Sequence, residues 1–569
     1  MWDAPFATLP ALTAALRTNG YHVIQKEMDL ELLPVLLAQW PQILASNRRF
    51  FADPAKRPAV DAIQANLDRV RAALAAGWPD GAVLDQTAKQ VLVYLSELFW
   101  QRPFGSAGQR PFFGVLADHS TQPIGKALSA FAATISWDDV ALLGISVDNM
   151  RQIRAALILA KIVKASFPHV HVVLGGHATF LIDLHDPEDV RDLKALLAGH
   201  LDGVVLHAGE TALVRVAGYL AGRWRRDEVP NLAWLDEGAL RINRPFRFER
   251  VAQLPPADFD GLPVPLYERL PVEASRGCYW AKCTFCHHCY LRGRRADFDR
   301  DFRRYDSFGT ANMLAKIRFL MDRYSKSAFE LSCLDMSPRE TEQFAQAILD
   351  ADLGISWIGR PRLDRGFTCE LMDLMADAGV AIFHIYPETF AARTTKILDK
   401  GYDLDHVKQV FGYWETNRDR LPPLVTNLIV GAPGETLADF LETYEFVMQG
   451  SFKIQNFGMQ NQAINFFRVT KHSPIYYHPE KYGFKIVRRR TDQALFHNFE
   501  VQWPKEYLAE RAKIQRFLAD HEAEWQARLT NPYRMAYAQP SALPRERTWI
   551  ATGRRLLGRM AHRLRGWRS

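Results

Sequence analysis

"SRGCYWAKCTFCHHC", residues 275–289, holds four of the six cysteines in a 569-residue chain. Cysteines that merely pack are usually scattered and behave as small hydrophobes. Crowding at this spacing brings several sulfurs to one point, for a metal ion, an iron–sulfur cluster or local disulfides. Six cysteines in so long a chain do not make a secreted disulfide framework, which sets the disulfide reading last. A structural zinc site commonly takes its ligands as two separated pairs. Three cysteines on one loop, leaving one iron of a cube open, fit a catalytic 4Fe–4S cluster better.

The surroundings of the loop read as alternating strands and helices. Strands are expected at 272–275, 328–333, 355–358, 380–385, 424–430 and 459–467. The stretches between them have helical periodicity, as in "ANMLAKIRFLMDRY". Six such βα repeats predict an α/β barrel, with chemistry at the C-terminal ends of its strands. The cysteine loop begins just after the first strand, on that face.

Upstream lies a second parallel unit. "DVALLGISV" (139–147) reads as a strand buried on both faces, followed by a helix, then "VHVVLGGHAT" and "LDGVVLHAGE" as further strands. Ligands bind beyond the C-terminal ends of such strands, and glycines there let a bulky group approach the backbone. The opening "TLPALTAALRTNGYHVIQKEMDLE" reads as a helix, a stop at Gly20 and a short strand reaching Asp29. Residues from about 31 to 130 read as a helical insertion, and the proline-rich stretch up to "PVPLY" as a linker.

These stretches together resemble the radical S-adenosylmethionine (SAM) enzymes that carry a cobalamin-binding domain before the barrel. The likeness runs through "LLGISV", "VVLGGHATF", "VVLHAGE", "PNLAW", "LPPADFDGL", "RGCYWAKCTFC", "WIGRPRLD", "AGVAIFHIYPETF", "ILDKG" and "NLIVGAPGET". It implies a Rossmann-like cobalamin-binding domain over 1–250, a radical SAM partial (β/α)6 barrel over 251–470, and a mainly helical C-terminal region over 471–569. It also implies three cofactors: a 4Fe–4S cluster, SAM and cobalamin.

By the same resemblance, Cys278, Cys283 and Cys286 would hold the cluster, and Phe285 would lie against the adenine of SAM. Glu388 stands in the position of the family's SAM-contacting glutamate, although "YPETF" replaces the usual "IESGS". Ser146, Gln152, Gly175, Gly176, Gly209 and Glu210 would line the cobalamin side. The gap from Cys278 to Cys283 holds four residues where the family usually has three, and Cys289 creates a rival triplet with Cys283 and Cys286. Cys289 is thus a spare thiol, a substrate-holding group or a ligand. No Asp-x-His-x-x-Gly follows the first strand, so a histidine replacing the lower base of cobalamin is not indicated.

Other residues come from position alone. Asn427, on an expected barrel strand, is a candidate SAM contact. Asp335 and Arg362, at successive strand ends, either touch SAM or close a surface ion pair. Cys333 and Cys369 read as packing thiols, and His287 and His288 as caps of the loop.

The implied chemistry begins with reductive cleavage of SAM to a 5′-deoxyadenosyl radical. That radical removes hydrogen from an unactivated carbon, and methylcobalamin then delivers its methyl group. The expected function is therefore C-methylation of a natural-product, peptide or lipid-like substrate. Cyclisation or rearrangement without methyl transfer is the alternative, followed by a non-catalytic cobalamin sensor. An electron donor such as flavodoxin or ferredoxin is the implied protein partner.

Charge restricts the partners further. Residues 545–569 hold eight arginines and one glutamate, which account for the whole net charge of +7. The rest of the chain is neutral, so no nucleic-acid surface is expected. Trp549, Ile550, Gly553, Leu556, Leu557, Met560, Leu564 and Trp567 recur at helical spacing in this basic tail. It reads either as an amphipathic helix for an anionic membrane or acidic peptide, or as a solvated end. Asp3 stands where a signal peptide would carry basic residues, and no apolar run approaches the ~18 residues of a spanning helix. The expected location is the cytoplasm, with peripheral membrane contact through the tail.

Overall fold

The computed structural model describes residues 7–46, 123–148, 152–199, 201–289, 297–298, 303–455, 465–488 and 499–530, with isolated positions between 61 and 68. Most of the expected insertion and all of the basic tail lie outside the described residues. So does the side chain of Cys289, whose backbone ends a short 3-10 turn.

Five strands form the first sheet: β1 (Leu142–Ser146), β2 (His171–Gly175), β3 (Gly203–Val205), β4 (Leu232–Asp236) and β5 (Ala239–Ile242), in that spatial order. β1, β2 and β3 run parallel, and β4 and β5 extend the sheet antiparallel. The crossover helix Ile153–Ser166 buries an almost continuous apolar face, including Leu157, Ile158 and Val163. The next helix, Pro187–Leu197, starts sharply because the Asp186 carboxylate accepts from the Glu188 N–H and proline occupies its first turn.

Two expectations for this unit are corrected. β1 is an edge strand with no fully buried residue, because only β2 pairs with it among the described residues. Residues 21–27 form no strand. There the Gln25 amide donates to the carbonyls of Asp258 and Asp260, and Arg17 donates to the Val23 carbonyl. Side chains tie this segment to the linker, where a strand would have used a backbone ladder.

The second sheet contains β6 (Leu270–Glu273), β9 (Ala328–Ser332), β10 (Ser356–Gly359), β11 (Val380–Glu388), β12 (Leu424–Val430), β13 (Lys453–Gln455) and β17 (Leu529–Thr530). All are parallel, in the order β17-β13-β12-β11-β10-β9-β6. A separate antiparallel pair, β7 (Ser275–Gly277) with β8 (Tyr305–Ser307), launches the cysteine loop above β6.

Beside β12 lies β13, which the sequence reading did not expect. Of the expected strand at 459–467, residues 459–464 lie outside the described residues, and Asn465–Phe466 form β14 against the far end of β12. The C-terminal region then supplies β17 as a seventh strand, together with an antiparallel pair, β15 (Lys485–Arg488) and β16 (Phe499–Gln502). Its main helix is Lys505–Asp520.

Capping sets the barrel helices in register. Ser337 with Glu340 opens Pro338–Asp350, and Thr436 with Asp439 opens Leu437–Gln449, each by a reciprocal capping box. Polar side-chain pairs tie the first unit to the second. Arg276 on β7 binds Glu210 at the start of the helix after β3. Lys471 binds Asp189, with both side chains at 2% exposure or less. Tyr477 donates to Asp183 at 3.1 Å. Among the described residues, no helix is long and apolar enough to cross a membrane.

Candidate functional site

The cysteine loop leaves β7 through Gly277, whose φ of 77° puts it in the left-handed region. A Cβ there would run into the carbonyl of Arg304, so the loop needs glycine to rise over the sheet. The side chain of Arg304 donates to the Tyr279 carbonyl at 3.0 Å. Trp280 Nε1 donates to the Asp399 carbonyl at 2.9 Å, and the left-handed Gly401 leaves room for that indole. Thr284 closes the loop onto the C-terminal end of the helix Ala392–Leu398, with its N–H and hydroxyl on the carbonyls of Leu398 and Ile397.

These contacts set Cys278, Cys283 and Cys286 on one short loop at the C-terminal strand ends. Cys278 Sγ donates to Asp335 Oδ2 at 3.1 Å and accepts from the Ala281 N–H at 3.3 Å. Cys283 is buried, and its carbonyl accepts from the Cys286 N–H. Burial, reinforced by the Asp335 carboxylate, pushes the Cys278 thiol up to about 12, and burial pushes Cys283 up to about 11. A coordinated metal ion would oppose these shifts and favour the thiolates.

Beneath the loop the strand ends carry one connected polar array. Arg362 lies between Asp364, at 2.8 Å, and Asp335, at 3.9 Å, and also donates to the Lys400 carbonyl. Its guanidinium stacks near Trp280 and Tyr402. Arg362 and Asp335 are 2% and 13% exposed at the side chain, so they are no surface pair. Lys400 Nζ sits 3.3 Å from Glu388 Oε1, and Asn427 Nδ2 donates to Glu388 Oε2 at 2.9 Å. Burial raises the pKa of Asp335 and of Glu388. Asp335 Oδ1 and Asn427 Oδ1 are shielded from solvent and have no hydrogen-bond partner among the described residues. Two buried acceptors thus face a site that lacks a donor.

Phe285 lies against the apolar cluster of Leu398, Ile429 and Phe467, with Lys400 6.0 Å from its ring. All five residues proposed for SAM therefore adjoin the cysteine loop. Sequence reasoning missed Lys400, Tyr402, Tyr279 and Asp364. Lys400 sits within the quoted "ILDKG", where the turn-forming Gly401 was the available signal.

The second group of expected residues lines the facing sheet. Ser146 pairs with Gly175 at the matched ends of β1 and β2. Gly176, at φ 101°, crosses so close to Val147 that a Cβ would strike its carbonyl. Gln152 accepts from the Asp148 N–H at 2.7 Å. Gly209 precedes the helix Glu210–Leu220, and Leu12 would touch a Cβ there at 3.3 Å. Glu210 does not stand open: its carboxylate is taken by Arg276, two residues before Cys278. Cys333 is buried beside β9, and Cys369 begins the helix Cys369–Asp377.

This architecture, a mixed five-stranded sheet preceding an open parallel barrel with a cysteine loop at its strand ends, is shared with a solved cobalamin-dependent radical SAM enzyme. The cobalamin-dependent SAM radical enzyme OxsB with aqua-cobalamin bound superposes with a TM-score of 0.51 at 12% identity, over 73% of this chain and 64% of that one. The radical SAM methyltransferase TsrM from Kitasatospora setae, with tryptophan and a SAM analogue bound, aligns more loosely, with a TM-score of 0.48 at 15% identity over 69% of this chain and 74% of that one. In sequence, the tRNA-2-methylthio-N(6)-dimethylallyladenosine synthase of Mycolicibacterium smegmatis (strain ATCC 700084 / mc(2)155) is 29% identical over 199 residues. That match spans 32% of this chain and only 36% of the relative. No family profile matches the chain.

Proposed function

We propose that this protein is a cobalamin-dependent radical SAM enzyme that transfers a methyl group to an unactivated carbon of a natural-product, peptide or lipid-like substrate. The observation that carries this reading is the three-cysteine loop seated on the Asp335–Arg362–Lys400–Glu388–Asn427 array. When bound, the cluster and SAM would supply radical hydrogen abstraction, and cobalamin the methyl group.

The chain's own residues fit these groups. Cys278, Cys283 and Cys286 offer three thiolates and leave a fourth iron for SAM. The unpartnered Asp335 and Asn427 oxygens would accept from the ammonium of its methionine part. Arg362 and Lys400 would set positive charge beside its carboxylate, and Phe285 would pack against its adenine. Ser146, Gly175 and Gly176 offer an open backbone edge to cobalamin, and the Arg276–Glu210 pair holds that edge against the cysteine loop. An electron donor of the flavodoxin or ferredoxin kind would feed the cluster, and the basic tail is proposed to meet an acidic peptide or an anionic membrane.

The test is anaerobic turnover with SAM and a reductant. The intact chain should release 5′-deoxyadenosine, and the Cys278→Ala/Cys283→Ala/Cys286→Ala chain should release none. Product carrying one added CH₂ supports methyl transfer; product of unchanged mass contradicts it.

A further inference from the structure

The seam between the two sheets carries a second cluster of metal-ligating side chains, apart from the cysteines. His177 opens the turn His177–Leu181 directly after β2, and His287 and His288 open the turn directly after Cys286. One ligand atom from each of the three imidazoles lies within 4.8 Å of the other two. The rings of His287 and His288 are 4.1 Å apart, and that of His177 lies 5.6 and 5.7 Å from them. Residues 110 positions apart in the sequence thus converge on one point.

The surroundings hold the imidazoles there. Gly176 turns the chain over Val147, where any Cβ would collide, and so delivers His177 to the seam. Phe180 stacks parallel to His177, with centroids 5.9 Å apart and planes 5° apart. Asp148, after β1, is an electrostatic neighbour of His177 and supplies a negative charge on the same side. Nε2 of His287 is shielded from solvent and has no hydrogen-bond partner among the described residues. His177 is exposed, so the cluster opens to solvent on one side.

We propose that His177, His287 and His288 form a binding site for a divalent transition-metal ion, zinc or a neighbour of similar ligand preference, which cross-links the cysteine loop to the first sheet. Imidazole nitrogens suit zinc, copper, nickel and iron. Three of them leave one tetrahedral position for water or a fourth ligand, in the manner of an open zinc site. Such an ion would fix the cysteine loop relative to the ends of β1 and β2. The site needs none of the cluster thiols.

The experiment uses the full chain carrying Cys278→Ala/Cys283→Ala/Cys286→Ala/Cys289→Ala, so that no thiolate of the loop can answer for the metal. Titration with Co²⁺ alone should give visible ligand-field bands that saturate at one equivalent, without the near-ultraviolet absorption of cobalt–thiolate bonds. Zn²⁺ should displace it. His177→Ala, His287→Ala and His288→Ala should each weaken binding by about tenfold or more, since loss of a ligand should cost at least as much as loss of an outer-shell partner. His478→Ala, on an exposed turn, should leave it unchanged.

Because the three positions lie between two domains, a second reading guards against misfolding. Zn²⁺ should raise the thermal midpoint of the cysteine-substituted chain and leave that of its His→Gln derivatives unmoved. Absence of saturable Co²⁺ binding, or binding indifferent to all three substitutions, overturns the site. A bound aquacobalamin spectrum that His177→Ala alters would also overturn it, by assigning the imidazole to the cobalt of a corrin. A failed radical chemistry would not touch the Co²⁺ result, because the titrated chain has no cluster ligands.

Discussion

Asn427 on β12 donates its side-chain amide to Glu388 on β11 at 2.9 Å, while Glu388 itself is held at φ 72°. A non-glycine residue in that region is uncommon and strained, and it persists only where its surroundings over-determine it. Here they do. The ladder between β11 and β12 loses register between Ile385 and Glu388, and Lys400 grips the other carboxylate oxygen. The distortion turns the carboxylate toward the cysteine loop instead of along the strand.

Glu388 and Lys400 form a buried pair, at 7% and 10% side-chain exposure. Breaking one partner leaves the other charge buried, which typically costs about 3–5 kcal/mol. Glu388→Gln and Lys400→Met should each destabilise the chain on that scale. The double variant should lose less than the two losses combined, as measured by urea unfolding. Additive losses would show that the two side chains do not act as a pair.

Gly277→Ala places a Cβ against the Arg304 carbonyl at a left-handed position. The loop must then shift, and the three sulfurs with it. Anaerobic reconstitution should bind less than half the iron and sulfide of the unsubstituted chain. Equal loading would mean that the loop does not depend on this turn.

His207 packs among Phe246, Phe248 and Phe298, and burial pushes its pKa down to about 3. The unfolded chain, with an ordinary imidazole near pH 6.5, takes up a proton that the folded chain refuses. This contribution to stability is complete above about pH 6.5 and is lost progressively as pH falls toward 3, with several kcal/mol at stake. Unfolding free energy measured from pH 7 to 5 should fall more gently for His207→Phe than for the unsubstituted chain. Identical slopes would contradict a buried neutral imidazole.

Much of this was legible in the sequence, and the failures have physical causes. Strands at Val380–Glu388 and Leu424–Val430 show as largely apolar runs because parallel strands are covered on both faces, while Ala328–Ser332 shows as an alternation of partly and fully buried residues. β13, with the sequence Lys-Ile-Gln, is too short and polar to show a run. The edge position of β1 depends on what pairs with it, which its own residues do not record. The cysteine loop was readable because its chemistry is local. The array under it was readable only in part: Asp335, Arg362 and Glu388 follow expected strands, and Asn427 stands within one. Lys400 lies in a turn where a lone lysine gives no periodic signal, and the meeting of His177 with His287 and His288 exists only in three dimensions.

The central claim is that Cys278, Cys283 and Cys286 hold a 4Fe–4S cube with one iron open to SAM. Electron paramagnetic resonance of the anaerobically reconstituted, reduced chain tests it most directly. The account predicts a 4Fe–4S signal that changes when SAM is added and that disappears with the three cysteines. A chain that takes up only zinc, or a cluster signal indifferent to SAM, would contradict it.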